Sequence, residues 1–256
     1  MNEKIISKTL DKSAETAYNY CINNQKAQAG ETEMKKVFID GQSGTTGLGI
    51  FKRLEKRKDL CMVTLPDALR KDPASRKKML NECDAAILCL PDDAAREAVS
   101  MVENPDVIIL DASTAHRTQP GWVYGLPELD AAQEQAIRHA KRIAVPGCHA
   151  SGFIALVRPL IKNGFIADTA RLVCHSLTGY SGGGKKMIAQ YEVQARDSLL
   201  DAPRQYGISQ QHKHLKEMTY ITGLATPPVF CPIVADFYSG MEVTVALFAE
   251  DLAPGI

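Results

Sequence analysis

The sequence predicts an α/β protein in which a doubly wound parallel sheet is followed by an α+β domain. From Lys36 onwards, short β-branched runs alternate with charged amphipathic stretches, a texture typical of βαβ units. The apolar runs are continuous rather than alternating, as expected for strands of a parallel sheet that helices cover on both faces. After Cys148 a long amphipathic helix leads into further strands, and this half has the pattern of an α+β domain.

The individual elements follow from these patterns. The strands predicted in the first half are Val37–Asp40, Leu60–Leu65, Ala85–Leu90, Val107–Asp111 and Arg142–Val145. Helical patterns lie between them near residues 48–58, 74–81, 93–102 and 130–140. The strands predicted after the long helix are Arg171–Leu177, Pro232–Phe237 and Met241–Phe248. We therefore expect a polar N-terminal extension over 1–34, a parallel-sheet domain over 35–147 and an α+β domain over 148–256.

The composition argues against several classes of function. The 30 Lys and Arg residues balance the 30 Asp and Glu residues, so the chain has no basic field to hold nucleic acid. Apolar runs such as Phe153–Val157 are far shorter than the ~20 residues that cross a bilayer, and no membrane-spanning segment is predicted. The seven cysteines include no close CxxC pair, so we expect no metal site, and a reducing cytoplasm is favoured.

A glycine loop follows the first predicted strand and precedes an amphipathic helix. Its glycines are spaced three apart, which lets the backbone turn tightly and approach a pyrophosphate that the loop amides and the helix N-terminus stabilise. We interpret it as the nucleotide-binding loop of a Rossmann-type domain, the alternative being a plain turn. The loop residues predicted to contact the nucleotide are Gly41, Ser43, Gly44, Thr45, Thr46 and Gly47.

The residues after this loop do not decide whether the nucleotide carries a 2′-hydroxyl, as in NAD, or a 2′-phosphate, as in NADP. Asp67 lies where an acid could bind the ribose 2′-hydroxyl of NAD. A basic cluster could instead meet the 2′-phosphate of NADP, and its members are Arg70, Lys71, Arg76, Lys77 and Lys78. For Lys77 and Lys78, a solvated helix face is the favoured alternative.

Cys148 is the candidate nucleophile. It lies in a Pro-Gly-Cys turn between a predicted strand and a predicted helix. Unpaired amides and the positive end of the helix dipole favour a thiolate there, and the same amides could stabilise an oxyanion. Because such a turn presents a side chain rather than burying it, catalysis is favoured over packing.

A nucleophilic thiol needs a proton partner. Adjacent His149 would point about 100° away from Cys148 on a helix. His212 and His214 are better candidates, and their rings would lie about 200° apart if this stretch is helical. His214 is favoured because Glu217 at i+3 could orient its ring, with His212 as the alternative.

A second glycine-rich loop, Thr178–Lys186, suits an anionic group. It combines hydroxyls, flexible amides and two cations, as a phosphate or acyl phosphate requires; the alternative is a loop before a solvated helix. The residues predicted to contact substrate there are Ser181, Gly182, Gly183 and Lys185. At the carboxyl end of another parallel strand, Ser113 and Arg117 could touch cofactor or substrate, unless they are a capping serine and a surface arginine.

Six segments occur in one order along the chain: Gly41–Gly47, Asp111–Arg117, Tyr124–Leu129, Pro146–Cys148, Gly179–Lys186 and His212–His214. Together they resemble the N-acetyl-gamma-glutamyl-phosphate reductase family in its shorter-chain form, from about Lys36 to Leu247. The resemblance implies Cys148 as nucleophile, the His212/His214 pair as the site of the acid/base, and an NADP site at the glycine loop. It also implies a cytoplasmic enzyme of arginine biosynthesis that acts on a small-molecule acyl phosphate and forms a homo-oligomer, a dimer or a tetramer.

The expected reaction is reduction of the acyl phosphate to an aldehyde through a cysteine thioester. The alternatives are an aspartate-semialdehyde dehydrogenase-like enzyme and a catalytically silent nucleotide-binding variant. Three features depart from the family pattern: Ala144-Val145 stand where an Asn usually precedes the Pro-Gly-Cys turn, His149 replaces a frequent Tyr, and the sequence stops at Ile256. We therefore expect the family's glycine- and alanine-rich C-terminal segment to be absent.

Overall fold

The computed structural model describes residues 34–42 and 44–256, which form two compact units. The first comprises the described residues up to Ala115 together with Ala140–Ala144, and the second comprises His116–His139 and Val145–Ile256. The predicted N-terminal extension, apart from its last residue, lies outside the described residues.

The bounds of the elements are as follows. The strands are β1 (Lys35–Asp40), β2 (Leu60–Val63), β3 (Ala85–Leu88), β4 (Ile108–Asp111), β5 (Val123–Tyr124), β6 (Arg142–Ala144), β7 (Val173–Gly179), β8 (Arg204–Gln205), β9 (Val229–Ala235) and β10 (Met241–Val245). The helices are α1 (Thr45–Leu54), α2 (Pro73–Glu82), α3 (Asp92–Ser100), α4 (Ala131–His139), α5 (Cys148–Lys162), α6 (Gly184–Glu192) and α7 (His214–Thr222). Short 3-10 turns lie at Pro127–Leu129, Tyr180–Gly183, Ser198–Asp201 and Ala249–Asp251.

The first unit is built on a parallel sheet. Its strands lie in the order β2-β1-β3-β4-β6, and each neighbouring pair is parallel. The chain moves from β1 to β2 on one side and then to β3 on the other, so the order reverses beside β1, where open α/β sheets bind ligands. Phe38, Leu88 and Ile109 are fully buried in this sheet, as strands covered on both faces require. The predicted doubly wound α/β class is confirmed.

The second unit contains a mixed sheet in the order β10-β7-β9-β8. Strands β7 and β9 are parallel, whereas the two outer pairs are antiparallel. The apolar face of α5 supplies Phe153, Ile154 and Val157, all fully buried, to a core that includes Phe230 and Met218. The α+β character of this half is also confirmed.

Several predicted bounds shift. The β9 strand begins at Val229 rather than at Pro232, because Val229 already pairs with Val173 of β7. Pro232 is accommodated inside the strand: it cannot donate a hydrogen bond, but its carbonyl accepts one from the Tyr206 N–H at 3.0 Å. Residues 116–139 group with the second unit, whereas the sequence places the division after residue 147. The reason is a buried ion pair and a hydrogen bond that join Arg117 and Tyr124 to Glu217.

Candidate active site

The glycine loop makes a tight turn between β1 and α1. Gly41 has φ +88°, and a Cβ on it would lie 2.3 Å from the carbonyl oxygen of Cys89. A Cβ on Gly47 would lie 2.6 Å from the carbonyl oxygen of Gly41, and the Gly44 N–H donates to that same oxygen at 3.0 Å. Only glycine fits such backbone contacts without displacement. Among the other predicted contacts, Thr46 is exposed, whereas Ser43 and the side chain of Thr45 lie outside the described part.

A cavity of about 640 Å³ opens beside this loop within the first unit. Gly41, Asp67, Arg70 and Lys71 line it, with an Arg70 Nε to Asp67 Oδ1 distance of 3.7 Å. Two of the predicted nucleotide cations therefore lie at the cavity together with the acid. The cavity, the close-packed glycines and these charges fit a dinucleotide.

Arg76 also lines the cavity, but its guanidinium is already paired. Its Nε and Nη2 each lie 3.0 Å from Oδ2 of Asp40, and Nη1 lies 3.0 Å from Oε2 of Glu97. Burial raises the pKa of Asp40 although the Arg76 charge opposes that rise. Lys77 pairs with Glu103 on the exposed side of α2. These contacts favour structural roles for Arg76 and Lys77.

Ser113 closes the turn that follows β4. Its N–H donates to Oδ1 of Asp111 at 2.9 Å, and its hydroxyl donates to Oδ2 at 2.7 Å. The hydroxyl oxygen accepts the N–H of Ala115 at 3.1 Å. The side chain thus acts as a buried cap for this turn, so its predicted contact with the cofactor stays a prediction.

Cys148 is the first residue of α5, and its side chain is exposed. Gly147 caps the helix with extended backbone dihedrals, φ −74° and ψ 144°. A Cβ on Gly147 would lie 2.5 Å from His214 Nε2, 2.5 Å from Glu217 Oε1 and 2.6 Å from Arg117 Nη1. The predicted Pro-Gly-Cys turn therefore packs directly against the buried polar residues of α7 and leaves the thiol at the surface.

Glu217 is the centre of this polar cluster. Its carboxylate is buried, with Oε1 accepting from Arg117 Nη1 at 2.6 Å and Oε2 accepting from the Tyr124 hydroxyl at 2.8 Å. The N–H of Gly147 donates to Oε2 at 3.1 Å. Arg117 is buried and also donates from Nε to the carbonyl of Val145 at 2.9 Å, so it is not a surface arginine. These contacts brace the cysteine turn, and direct contact of Arg117 with substrate stays a prediction.

His214 and His212 lie next to each other, with ring centroids 4.7 Å apart. The separation of about 200° expected for a helical stretch does not apply, because α7 begins at His214 and leaves His212 outside the helix. The His212 Nδ1 instead accepts the N–H of His214 at 3.2 Å. His214 is buried, its Nε2 is 3.9 Å from Glu217 Oε1, and its Nδ1 has no hydrogen-bond partner within the described residues.

The surroundings keep these imidazoles neutral at neutral pH. Burial lowers the pKa of His214 far below its usual range, assisted by the charges of His212 and Arg117. Burial and the charge of Lys213 lower the pKa of His212. His212 is only half-buried, so it remains open to proton exchange with water.

Sequence reasoning missed a second hydrogen-bonded group beside the cysteine. His149 is buried, with Nδ1 2.6 Å from Ser176 Oγ and Nε2 2.8 Å from the Tyr206 hydroxyl. Burial, and then the charge of His212, lower the pKa of His149 to about 4. The His149 ring is therefore buried and hydrogen-bonded, whereas the Cys148 thiol is exposed. Local sequence holds no signal for its partners, which belong to distant segments.

The second glycine-rich loop is a 3-10 turn over Tyr180–Gly183 that runs directly into α6. The Ser181 N–H donates to the carbonyl of Tyr238 at 2.9 Å. Gly182, Gly183 and Lys185 are exposed, and Lys185 lies in the first turn of α6. A helix N-terminus with a nearby cation suits an anion, so the predicted substrate contacts of this loop remain consistent with its geometry.

Within residues 34–42 and 44–256, no group of three or more His, Cys, Asp or Glu side chains could hold a metal ion. None of the helices in that part combines the length and the apolar character needed to cross a membrane.

The chain matches two family models. Residues 66–137 match the semialdehyde dehydrogenase NAD binding domain, and residues 148–253 match the semialdehyde dehydrogenase dimerisation domain. An N-acetyl-gamma-glutamyl-phosphate reductase from Trichormus variabilis is 50% identical over 216 residues, which cover 83% of this chain and 67% of that protein. A protein of the same name from Rhizobium meliloti is 49% identical over 222 residues, covering 86% and 72%.

The chain belongs to the N-acetyl-gamma-glutamyl-phosphate reductase family. The predicted membership is thus confirmed, and the NAD binding domain match indicates a nicotinamide cofactor. Solved structures of aspartate semialdehyde dehydrogenases share the fold of this reductase family member. One from Vibrio cholerae, complexed with ASA, has a TM-score of 0.58 at 13% identity over 83% of this chain and 74% of that one. Another from Candida albicans, with NADP, has a TM-score of 0.59 at 16% identity over 87% and 74%.

Proposed function

We propose that this reductase family member reduces N-acetyl-gamma-glutamyl phosphate to N-acetylglutamate semialdehyde and phosphate, in arginine biosynthesis. The observation that carries the proposal is the exposed Cys148 at the N-terminus of α5, braced by Glu217 and next to the His212/His214 pair. A thiol suits this reaction because a thioester accepts hydride far more readily than a carboxylate does.

The chemistry begins at the sulfur. The Cys148 thiolate attacks the γ-carbonyl carbon, a C–S bond forms, and the C–O bond to phosphate breaks so that phosphate leaves with the electron pair. The amides at the start of α5 stabilise the oxyanion. The exposed amides of Gly182 and Gly183, with Lys185, bind the phosphate group.

A histidine then completes the proton balance. We assign His214, whose Nε2 lies against Gly147, to take the thiol proton on attack and return it when the aldehyde leaves, with His212 as the alternative. Asn substitutions at each position separate them, since loss of the acid/base costs about 10²-fold or more in rate.

The reduction step requires a cofactor, and the first unit is suited to hold it. Reduction of the thioester carbon needs a hydride ion, the chemistry that a nicotinamide cofactor supplies when bound. Its pyrophosphate would lie at the Gly41–Gly47 loop. We propose NADP rather than NAD because Arg70 and Lys71 line the adjacent cavity, where they can bind a 2′-phosphate.

We further propose that the protein is a cytoplasmic homodimer. Val173 and Val229 are both exposed and pair directly across the central strands β7 and β9. This apolar part of the exposed sheet face is suited to burial against a second copy, and the match to a dimerisation domain supports assembly. A catalytic thiol that must stay reduced favours the cytoplasm. Sedimentation of a Val173→Glu, Val229→Glu variant tests the dimer.

The decisive assay runs in the oxidative direction. The protein is mixed with NADP⁺, phosphate and either N-acetylglutamate semialdehyde or aspartate semialdehyde, and NADPH absorbance is followed. The proposal predicts phosphate-dependent reduction of NADP⁺ with the N-acetylated aldehyde. A preference for aspartate semialdehyde would assign the protein to the alternative activity, and inactivity with both would favour a silent nucleotide-binding protein.

A further inference from the structure

A chain of three side chains links the sheet of the second unit to the surface beside Cys148. Ser176 is fully buried in β7, His149 is buried in the first turn of α5, and Tyr206 follows β8. The Ser176 Oγ to His149 Nδ1 distance is 2.6 Å, and the His149 Nε2 to Tyr206 hydroxyl distance is 2.8 Å. The reaction described above does not use this chain.

The available hydrogen-bond partners determine which atom donates in each of these two hydrogen bonds. Within the described residues, the Ser176 hydroxyl has one hydrogen-bond partner, the His149 Nδ1. A buried O–H that donates to nothing carries the full desolvation cost of a donor, so Ser176 donates and His149 Nδ1 accepts. The neutral imidazole then carries its proton on Nε2 and donates it to the Tyr206 oxygen. The burial that lowers the pKa of His149 to about 4, with the charge of His212, keeps the ring neutral at neutral pH.

Because His149 donates to the Tyr206 oxygen, the phenol proton of Tyr206 is free to be donated to another group. His149 is its single hydrogen-bond partner among the described residues, and that partner is a donor. Burial, and then the charge of Cys148, raise the pKa of Tyr206 to about 12, so the phenol stays protonated and the cysteine lies close enough to influence it.

The Tyr206 ring has neighbours from both parts of the candidate site. The ring lies 6.3 Å from the His149 ring and 6.1 Å from the His212 ring, centroid to centroid. Tyr206 also packs against the buried cluster of Tyr191, Leu200 and Val234. Tyr180 of the second glycine-rich loop and Met187 of α6 pack against the same cluster. Tyr206 thus lies near the histidines and shares a packing cluster with the loop assigned to phosphate.

We propose that Tyr206 is a further catalytic residue: its hydroxyl donates a hydrogen bond to the oxygen of the carbonyl group captured by Cys148, held in that orientation by His149 and Ser176. The inference rests on the proposed function. It adds a neutral donor that acts where negative charge develops, and such a donor is worth on the order of 10²-fold in kcat.

The test compares Tyr206→Phe with a matched control, Tyr220→Phe, whose hydroxyl is on an exposed side chain of α7. Both are assayed in the oxidative direction with N-acetylglutamate semialdehyde, and Cys148 alkylation by iodoacetamide is timed separately. We expect Tyr206→Phe to lower kcat on the order of 10²-fold with little change in KM. Alkylation needs no oxyanion, so its rate stays within about twofold of wild type. Tyr220→Phe behaves as wild type.

Two results would overturn the inference: a kcat within about threefold of wild type, or an alkylation rate that falls in parallel with kcat, which would mean that Tyr206 positions the thiol instead. If the Phe variant does not fold, 3-fluorotyrosine at position 206 replaces it. This stronger donor of nearly equal size should raise kcat, and an unchanged kcat would count against a catalytic hydroxyl. A wild-type protein inactive with this aldehyde would instead contradict the proposed function.

Discussion

The carboxylate of Glu217 accepts the backbone N–H of Gly147 at 3.1 Å, so the helix that carries His214 and the turn that presents Cys148 share one buried charge. The same carboxylate pairs with Arg117 Nη1 at 2.6 Å. The position of the turn that carries the thiol therefore depends on a residue 70 positions after Gly147 in the chain.

Glu217→Gln keeps the shape of this side chain and removes its charge. Arg117 then remains buried without its carboxylate, and breaking one half of a buried pair costs about 3 kcal/mol or more. Urea denaturation should show a loss of this size. Glu134→Gln is the matched control, since its pair with Arg138 is exposed and is worth about 1 kcal/mol or less. Equal losses in the two variants would contradict the assigned role of Glu217.

Gly147→Ala places a methyl group where three polar atoms lie within 2.6 Å. Overpacking of this kind costs about 1–3 kcal/mol, and here it also displaces His214 and the cysteine turn. We expect lower stability, measured by thermal unfolding, together with loss of activity. Gly49→Ala in α1 is the control, because a Cβ there meets nothing within 4 Å and alanine favours a helix. A fully active Gly147→Ala variant would show that the turn tolerates movement.

Acid should destabilise the protein through its buried histidines. Burial lowers the pKa of His149 to about 4, below the unfolded value near 6.5, so between these values the unfolded chain binds more protons than the folded one. Stability therefore falls as the pH falls through this window, by up to about 1.4 kcal/mol per pH unit for each such histidine. Urea unfolding of wild type and His149→Gln at a series of pH values should give a shallower slope for the variant, and identical slopes would contradict the neutral, buried state of His149.

Arg70 and Lys71 should set the preference for NADPH. A charge-assisted hydrogen bond is worth about 1.5–3 kcal/mol, so the Arg70→Ala, Lys71→Ala double variant should raise KM for NADPH by about 10-fold or more while leaving KM for NADH unchanged. Lys78→Ala is the control, since Lys78 is exposed and does not line the cavity. Equal increases in KM for NADPH and for NADH would show that Arg70 and Lys71 do not recognise the 2′ group.

The sequence predicts well what is decided locally. The glycine loop is encoded by neighbouring residues, because a side chain on Gly47 would meet the backbone of Gly41 and Gln42. The Pro-Gly-Cys turn is recognisable from its own residues, although the side chains that exclude a Cβ at Gly147 come from distant segments. The parallel sheet follows from continuous apolar runs, since strands covered on both faces need no polar positions.

What depends on distant partners could not be predicted in this way. For Arg117 the sequence predicts contact with substrate, with a surface position as the alternative, and it gives no sign of the buried ion pair with Glu217, 100 positions later. Tyr206 and Ser176 reach His149 across 57 and 27 positions, and nothing in their own segments marks them. The sequence leaves the position of His212 relative to His214 open, because a helix start cannot be fixed to a single residue from periodicity alone.

The most direct test of the central claim is to look for the acyl group on Cys148. Wild-type protein is mixed with N-acetyl-gamma-glutamyl phosphate in the absence of NADPH, quenched in acid, and examined by intact-mass and peptide mass spectrometry, with Cys148→Ser in parallel. We expect an N-acetylglutamyl adduct on the Cys148 peptide of wild type, released as aldehyde when NADPH is added before the quench, and none in the variant. Turnover by Cys148→Ser, or an adduct located on another residue, would contradict the account.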